Sequence, residues 1–163
     1  MKIQSLCTDD CIDEVINEYS KMIFRLAFVH MKNKYDAEDI TQEVFLRYIS
    51  KSRVFKSEEH RRNWLIRVTI NRCNSLWVAW FRKTEPLYED IPFETKEHND
   101  LFEYLSLLPH KYRSVVHLFY YEGFSTKQIA AMLNAKESTV RTWLTRARAI
   151  LRQKLKGDYF NDQ

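Results

Sequence analysis

Apolar residues recur every three or four positions along most of this 163-residue chain, which is the period of one helix face. The pattern predicts helices over 12–32, 36–50 and 61–82, and again over 100–107, 110–121, 126–133 and 138–156. Between the two sets it lapses. TEPLYEDIPFETKEHN, residues 84–99, holds two of the three prolines and no helical period, so it reads as a linker. With only two glycines, the chain lacks the turn residues of a many-stranded sheet. The expected fold is all-α: two small helical domains, 1–83 and 100–163, joined by a flexible acidic linker at 84–99.

The second domain carries a helix-turn-helix pattern. Gly123 ends one helix, and Ser125 with Gln128 forms a capping-box pattern for the next. Ile129, Ala130 and Leu133 give that short helix an apolar face. Asn134-Ala135-Lys136 makes a tight break, because Asn tolerates the left-handed conformation. In the long helix that follows, Val140, Leu144, Ala147 and Leu151 fall on one stripe. Ser138, Arg141, Thr142, Thr145, Arg148 and Arg152 point elsewhere, giving a basic, hydroxyl-rich face. A plain helical hairpin would not need such a face. In a recognition helix, the early turns reach base edges and the later ones meet phosphates. Arg141, Thr142 and Thr145 are therefore candidates for base reading, and Arg146, Arg148 and Arg152 for phosphate contact.

In the first domain, Asn63, Arg67, Asn71 and Asn74 stand at i, i+4, i+8 and i+11, a polar stripe opposite Leu65, Thr69, Cys73, Leu76 and Trp80. Amide side chains beside arginines suit base edges, although solvated asparagines would read the same way. The preceding SKSRVFKSEEH has no clear period and reads as a loop. Its Phe55, between Arg53 and Lys56, either meets a base, by stacking on an unpaired one or walling a pocket for a flipped one, or plugs the core of the bundle.

Charge sharpens this picture. Ten Lys and Arg between 47 and 83 face only Glu58 and Glu59, and seven between 136 and 156 face only Glu137. The linker has Glu85, Glu89, Asp90, Glu94 and Glu97 against Lys96. Two basic modules flank an acidic joint, the footprint of two nucleic-acid-facing units. Against that background DAEDITQEVF is anomalous, with Asp36, Glu38, Asp39 and Glu43 on one short helix. Ala37, Ile40, Val44 and Tyr48 form its inward stripe, while Glu38, Asp39 and Gln42 mix with Phe45, Leu46 and Ile49 on the other side. Carboxylates on one exposed face do not converge as metal ligands do, and acids beside apolar residues suit a basic protein partner. No cofactor, resident metal or catalytic constellation is expected. Cys7 and Cys11 could sit one helical turn apart, but no His or further Cys lies nearby to complete a metal site, and Cys73 reads as a core residue. Neither a membrane-spanning run nor a signal-peptide pattern is present, so a cytoplasmic protein is expected, with no insertion into the membrane.

Taken together, DAEDITQEVFLRYI, WLIRVTINRCNSLW and LPHKYRSVVHLFYYEGFSTKQIAAMLNAKESTVRTWLTRARAILRQKL resemble the extracytoplasmic-function (ECF) group of the sigma-70 family of bacterial RNA polymerase sigma factors. The resemblance covers roughly 18–155, nearly the whole chain. It implies that 1–83 is region 2, for core polymerase binding and −10 recognition and melting, and that 100–163 is region 4, for −35 recognition. By position, Asp39, Gln42, Glu43 and Phe45 would contact the clamp helices of the polymerase β′ subunit. Phe55 and Lys56 would belong to the loop that captures a flipped −10 base, with Asn71 on the next helix and Arg67 and Asn74 beside it on the same stripe. Arg141, Thr142, Thr145, Arg146 and Arg148 would meet −35 DNA. The implied partners are core RNA polymerase, including its β flap, promoter DNA, and an anti-sigma factor held at the membrane. The turn departs from the family's frequent Leu-Gly, having Leu133-Asn134. Two other functions fit parts of the sequence: a stand-alone helix-turn-helix repressor, and a Mg²⁺-dependent nuclease using the acids of 36–43.

Overall fold

A computed structural model describes residues 12–50, 53–83 and 104–161, which are helical throughout apart from short connections. Contacts divide the chain into two units, Met1–Trp80 and Phe81–Gln163. Among the described residues there is no strand, and no helix is long and apolar enough to cross a membrane. The linker residues 84–99, with Cys7 and Cys11, lie outside the described residues.

The first unit contains α1 (Ile12–Met31), α2 (Lys34–Ser50) and α3 (Glu58–Lys83). Lys32, in the left-handed region at φ 56°, turns the chain between α1 and α2. α2 begins two residues before the apolar period does because Asn33 caps it: its Oδ1 accepts the backbone N–H of Tyr35 at 2.8 Å. α3 likewise begins before the predicted 61, because Ser57 Oγ accepts the His60 N–H at 3.1 Å. Two long-range bonds fix α3 against α1. Tyr19 donates its hydroxyl to Glu58 at 2.7 Å, and Trp77 Nε1 donates to the His30 carbonyl at 3.0 Å. Ile23, Leu26, Ile40, Leu65 and Ile66 fill the space between the three helices. Cys73 is fully buried among them, and burial pushes its thiol pKa up to about 12, so it packs as a neutral small residue.

The second unit contains a helical stretch at 104–106, α4 (His110–Val116), a π-helical turn (His117–Tyr121), α5 (Thr126–Leu133) and α6 (Glu137–Asn161). Of the predicted helix 100–107, residues 100–103 lie outside the described residues. Buried Arg113 closes the end of the first stretch, donating Nε to the Leu108 carbonyl at 2.8 Å and Nη2 to the Ser106 carbonyl at 3.0 Å. The predicted single helix over 110–121 widens at its end, where the Glu122 N–H reaches five residues back to the His117 carbonyl at 3.1 Å. That widening leaves Tyr120 and Tyr121 exposed on the outside.

The capping box at Ser125 forms in both directions. Ser125 Oγ accepts the Gln128 N–H at 3.1 Å, and Gln128 Oε1 accepts the Ser125 N–H at 2.9 Å. Asn134 takes the left-handed conformation at φ 52° and ψ 46°, and the Ala135 N–H closes α5 on the Ala130 carbonyl at 2.9 Å. Ile129 and Met132 from α5 meet Val140, Leu144 and Ala147 from α6 in a buried core that includes Leu118. α5, the Asn134 turn and α6 form the helix-turn-helix.

Candidate nucleic-acid interface

On α6, Arg141, Thr142, Thr145, Arg146 and Arg148 are all exposed, while Val140, Leu144 and Ala147 are buried beneath them. The threonine hydroxyls donate back into the helix, Thr142 to the Ser138 carbonyl at 2.9 Å and Thr145 to the Arg141 carbonyl at 3.0 Å. This leaves their methyl groups and acceptor lone pairs for a neighbour. Glu137 is an acid beside this face. Its Oε1 accepts from Thr126 Oγ1 at 2.8 Å and from Arg141 Nη2 at 2.7 Å. The Thr126 bond, with Arg141 close by, holds the Glu137 carboxyl below the usual range, so it stays ionised and ties α5 to α6. Arg141 is thus held at the start of α6 by its pairing with Glu137.

In the first unit, Arg67, Asn71 and Asn74 are exposed along one side of α3, while Asn63 is half-buried. The loop before α3 differs from the first of its two expectations. Phe55 is 3% exposed: its ring stacks on Tyr48 at 5.8 Å, meets Trp64 and His60 edge-on, and lies 5.8 Å from the Arg61 guanidinium. It plugs the bundle core, the second of those readings, and no face of the ring is open for a base to stack on. Around that plug the loop is pinned by Lys56, whose N–H donates to His60 Nδ1 at 3.2 Å, and by Arg53, whose guanidinium lies 4.8 Å from the Trp64 ring centre. Among the described residues of the loop, Val54, Lys56 and Ser57 are exposed.

On α2, Phe45 is also buried, at 7% exposure. Glu43 is partly engaged. It accepts from Arg72 Nε at 2.6 Å and Arg47 Nη2 at 3.0 Å, joining α2 to α3. What α2 offers outward is a line of exposed residues, Tyr35, Asp39, Gln42, Leu46 and Ile49. Their spacing alternates four and three, the repeat of a helix seam that receives another helix. Leu46 and Ile49 belong to this seam as much as the acids do; the sequence placed them on that side but left open whether a third helix covered them. Asp36 sits beside Asp39, and partial burial followed by that neighbouring charge raises its carboxyl above the usual range. Among the described residues no three His, Cys, Asp or Glu converge on a point.

A helix-turn-helix with a basic, hydroxyl-rich outer helix defines a DNA-binding protein of the helix-turn-helix class, here with a second helical unit bearing a polar stripe and an acidic-apolar seam. Comparison with known proteins gives the family. Residues 15–82 match the model of sigma-70 region 2, and residues 98–151 match that of sigma-70 region 4. The RNA polymerase sigma-E factor of Streptomyces coelicolor is 31% identical over 88% of this chain and 85% of its own length. The ECF sigma factor SigE of Mycolicibacterium smegmatis is 32% identical over 88% of this chain, which spans 61% of that protein. In fold, the chain is similar to RpoE of Bartonella quintana, solved with the anti-sigma factor NepR (TM-score 0.72, 19% identity, 91% of this chain and 98% of that one). It is also similar to CnrH, solved with the cytosolic domain of CnrY (TM-score 0.68, 19% identity, 94% and 93%). The chain belongs to the sigma-70 family of RNA polymerase sigma factors, in its ECF group, whose members are promoter-specific transcription initiation factors.

Proposed function

We propose that this sigma factor holds core polymerase with its first unit and reads two promoter elements with its two units. The observation that carries the reading is the exposed 4-3-4-3 seam of α2, Tyr35, Asp39, Gln42, Leu46 and Ile49, on a unit whose third helix bears the polar stripe. The seam suits the helical β′ clamp, with Asp39 and Gln42 supplying polar contacts and Leu46 and Ile49 the apolar anchor. Lys56, Arg67, Asn71 and Asn74 then face the −10 strand, and Phe55 holds their loop in place from beneath. Arg141, Thr142 and Thr145 read the −35 duplex, with Arg146 and Arg148 on its phosphates and the β flap as the second unit's polymerase contact. The working division is 1–83 for region 2, 84–99 for the acidic linker and 100–163 for region 4. The protein acts in the cytoplasm, with polymerase. An anti-sigma protein is a further partner, by analogy with the RpoE–NepR and CnrH–CnrY complexes.

The purified chain is expected to co-elute with bacterial core polymerase on a sizing column. Failure to co-elute, with tight binding of a palindromic duplex by the chain alone, would instead identify a repressor. Within the holoenzyme, Arg141→Ala should cost about 1–3 kcal/mol at one base pair of the −35 element. Competition among single-base variants of that element measures this. An unchanged preference at every position would place the base-reading face elsewhere.

A further inference from the structure

Arg148 differs from the other arginines of the recognition face in what holds it. Arg141 is paired with Glu137, whereas Arg148 has no carboxylate partner among the described residues. Its Nε instead donates to the Tyr120 hydroxyl at 2.5 Å, and its guanidinium lies 5.6 Å from the Tyr120 ring centre and 6.0 Å from that of Phe119. Tyr120 is 54% exposed, and it sits on the π-helical turn His117–Tyr121. Such turns recur at functional sites, where a widened helix aims a side chain that a regular helix would place elsewhere.

We propose that Tyr120 is a positioning residue for DNA: its hydroxyl and ring fix the Arg148 guanidinium so that its two Nη groups meet one backbone phosphate at the −35 element. Arginine carries five N–H donors in a rigid fork. Using Nε–H on Tyr120 leaves four, all on the terminal nitrogens that form bidentate bonds to phosphate. The charge remains unneutralised and therefore available to a polyanion. A guanidinium ordered before binding also loses less rotamer freedom on binding. The proposal rests on the −35 reading of α6.

The test measures affinity of the holoenzyme for a labelled −35 duplex, over a range of salt, for Tyr120→Phe, Arg148→Ala and the double variant. Tyr120→Phe keeps the ring and removes one exposed oxygen, so a thermal melt should be unchanged. It is expected to weaken binding about three- to tenfold for every −35 sequence alike. In the Arg148→Ala background the same change should matter less than about twofold, since a residue acting through Arg148 has nothing left to position. Arg148→Ala should itself lower the salt slope by about one. Equal losses from Tyr120→Phe in both backgrounds would overturn the proposal, because Tyr120 would then act independently of Arg148. No loss from Tyr120→Phe alongside a clear loss from Arg148→Ala would overturn it while leaving the −35 reading intact. No loss from Arg148→Ala would remove Arg148 from the DNA surface and overturn the proposal, whereas the −35 reading itself falls only if Arg141→Ala is silent as well.

Discussion

Replacing Phe55 by alanine should destabilise the first unit by about 3–5 kcal/mol, the cost of emptying a phenylalanine-sized space in a core. The ring touches Tyr48, Trp64, His60 and Arg61, so its loss strips contacts from α2, α3 and the loop together. Hydrogen exchange of the α1 and α3 amides would report the change for this unit separately from the second. Phe55→Leu separates packing from recognition. A core role tolerates leucine at roughly 1–2 kcal/mol, because most of the apolar volume remains. A stacking role would be lost as fully with leucine as with alanine. Should Phe55→Ala leave exchange in α3 unchanged to within ~1 kcal/mol, the core assignment fails.

The second large effect is expected at polymerase. Leu46 is 65% exposed and Ile49 48%, and both stand on the seam with Asp39 and Gln42. Leu46→Glu should weaken binding of core polymerase by about 2–4 kcal/mol, because a charge would replace an apolar anchor at the centre of a desolvated contact. The same change should hardly alter the melting temperature, since the free side chain is mostly in water. Asp39→Ala should act in the same direction with a smaller effect, about 1 kcal/mol. Titration of labelled polymerase clamp measures both; Leu46→Glu binding within twofold of the original would dismiss the seam as the docking surface. Glu43 makes a poor probe by comparison. Its bonds to Arg72 and Arg47 join α2 to α3, so removing it would perturb fold and contact at once.

Much of the fold was legible because local signals agreed with tertiary ones. The Ser125–Gln128 box and the Asn134 turn are chemical signatures of a helix start and stop, and both formed as read. Helix starts at Lys34 and Glu58 were missed by a few residues, because Asn33 and Ser57 cap ahead of the first apolar position. The π-helical turn at His117 was not legible. Its apolar pattern is that of an α-helix, and only the Glu122 and Phe124 amides reaching back to His117 and Leu118 distinguish it. The candidate surfaces were legible on α6, whose core and outer faces alternate cleanly. They were less so around Phe45 and Phe55. Periodicity says that a residue leaves one stripe, but the neighbouring helices decide whether the other side is covered: Phe45 is buried, and Tyr48, His60 and Trp64 cover Phe55.

In the second unit, α4, α5 and α6 follow one another with only short connections. Such topologies close few long loops and fold in microseconds to milliseconds. A ribosome adding roughly 5–20 residues per second needs roughly ten seconds or more to complete a chain of this length. The DNA-reading unit is therefore folded as soon as it is made, and any delay between making this factor and its acting at a promoter must arise from synthesis, capture by partners or competition for polymerase.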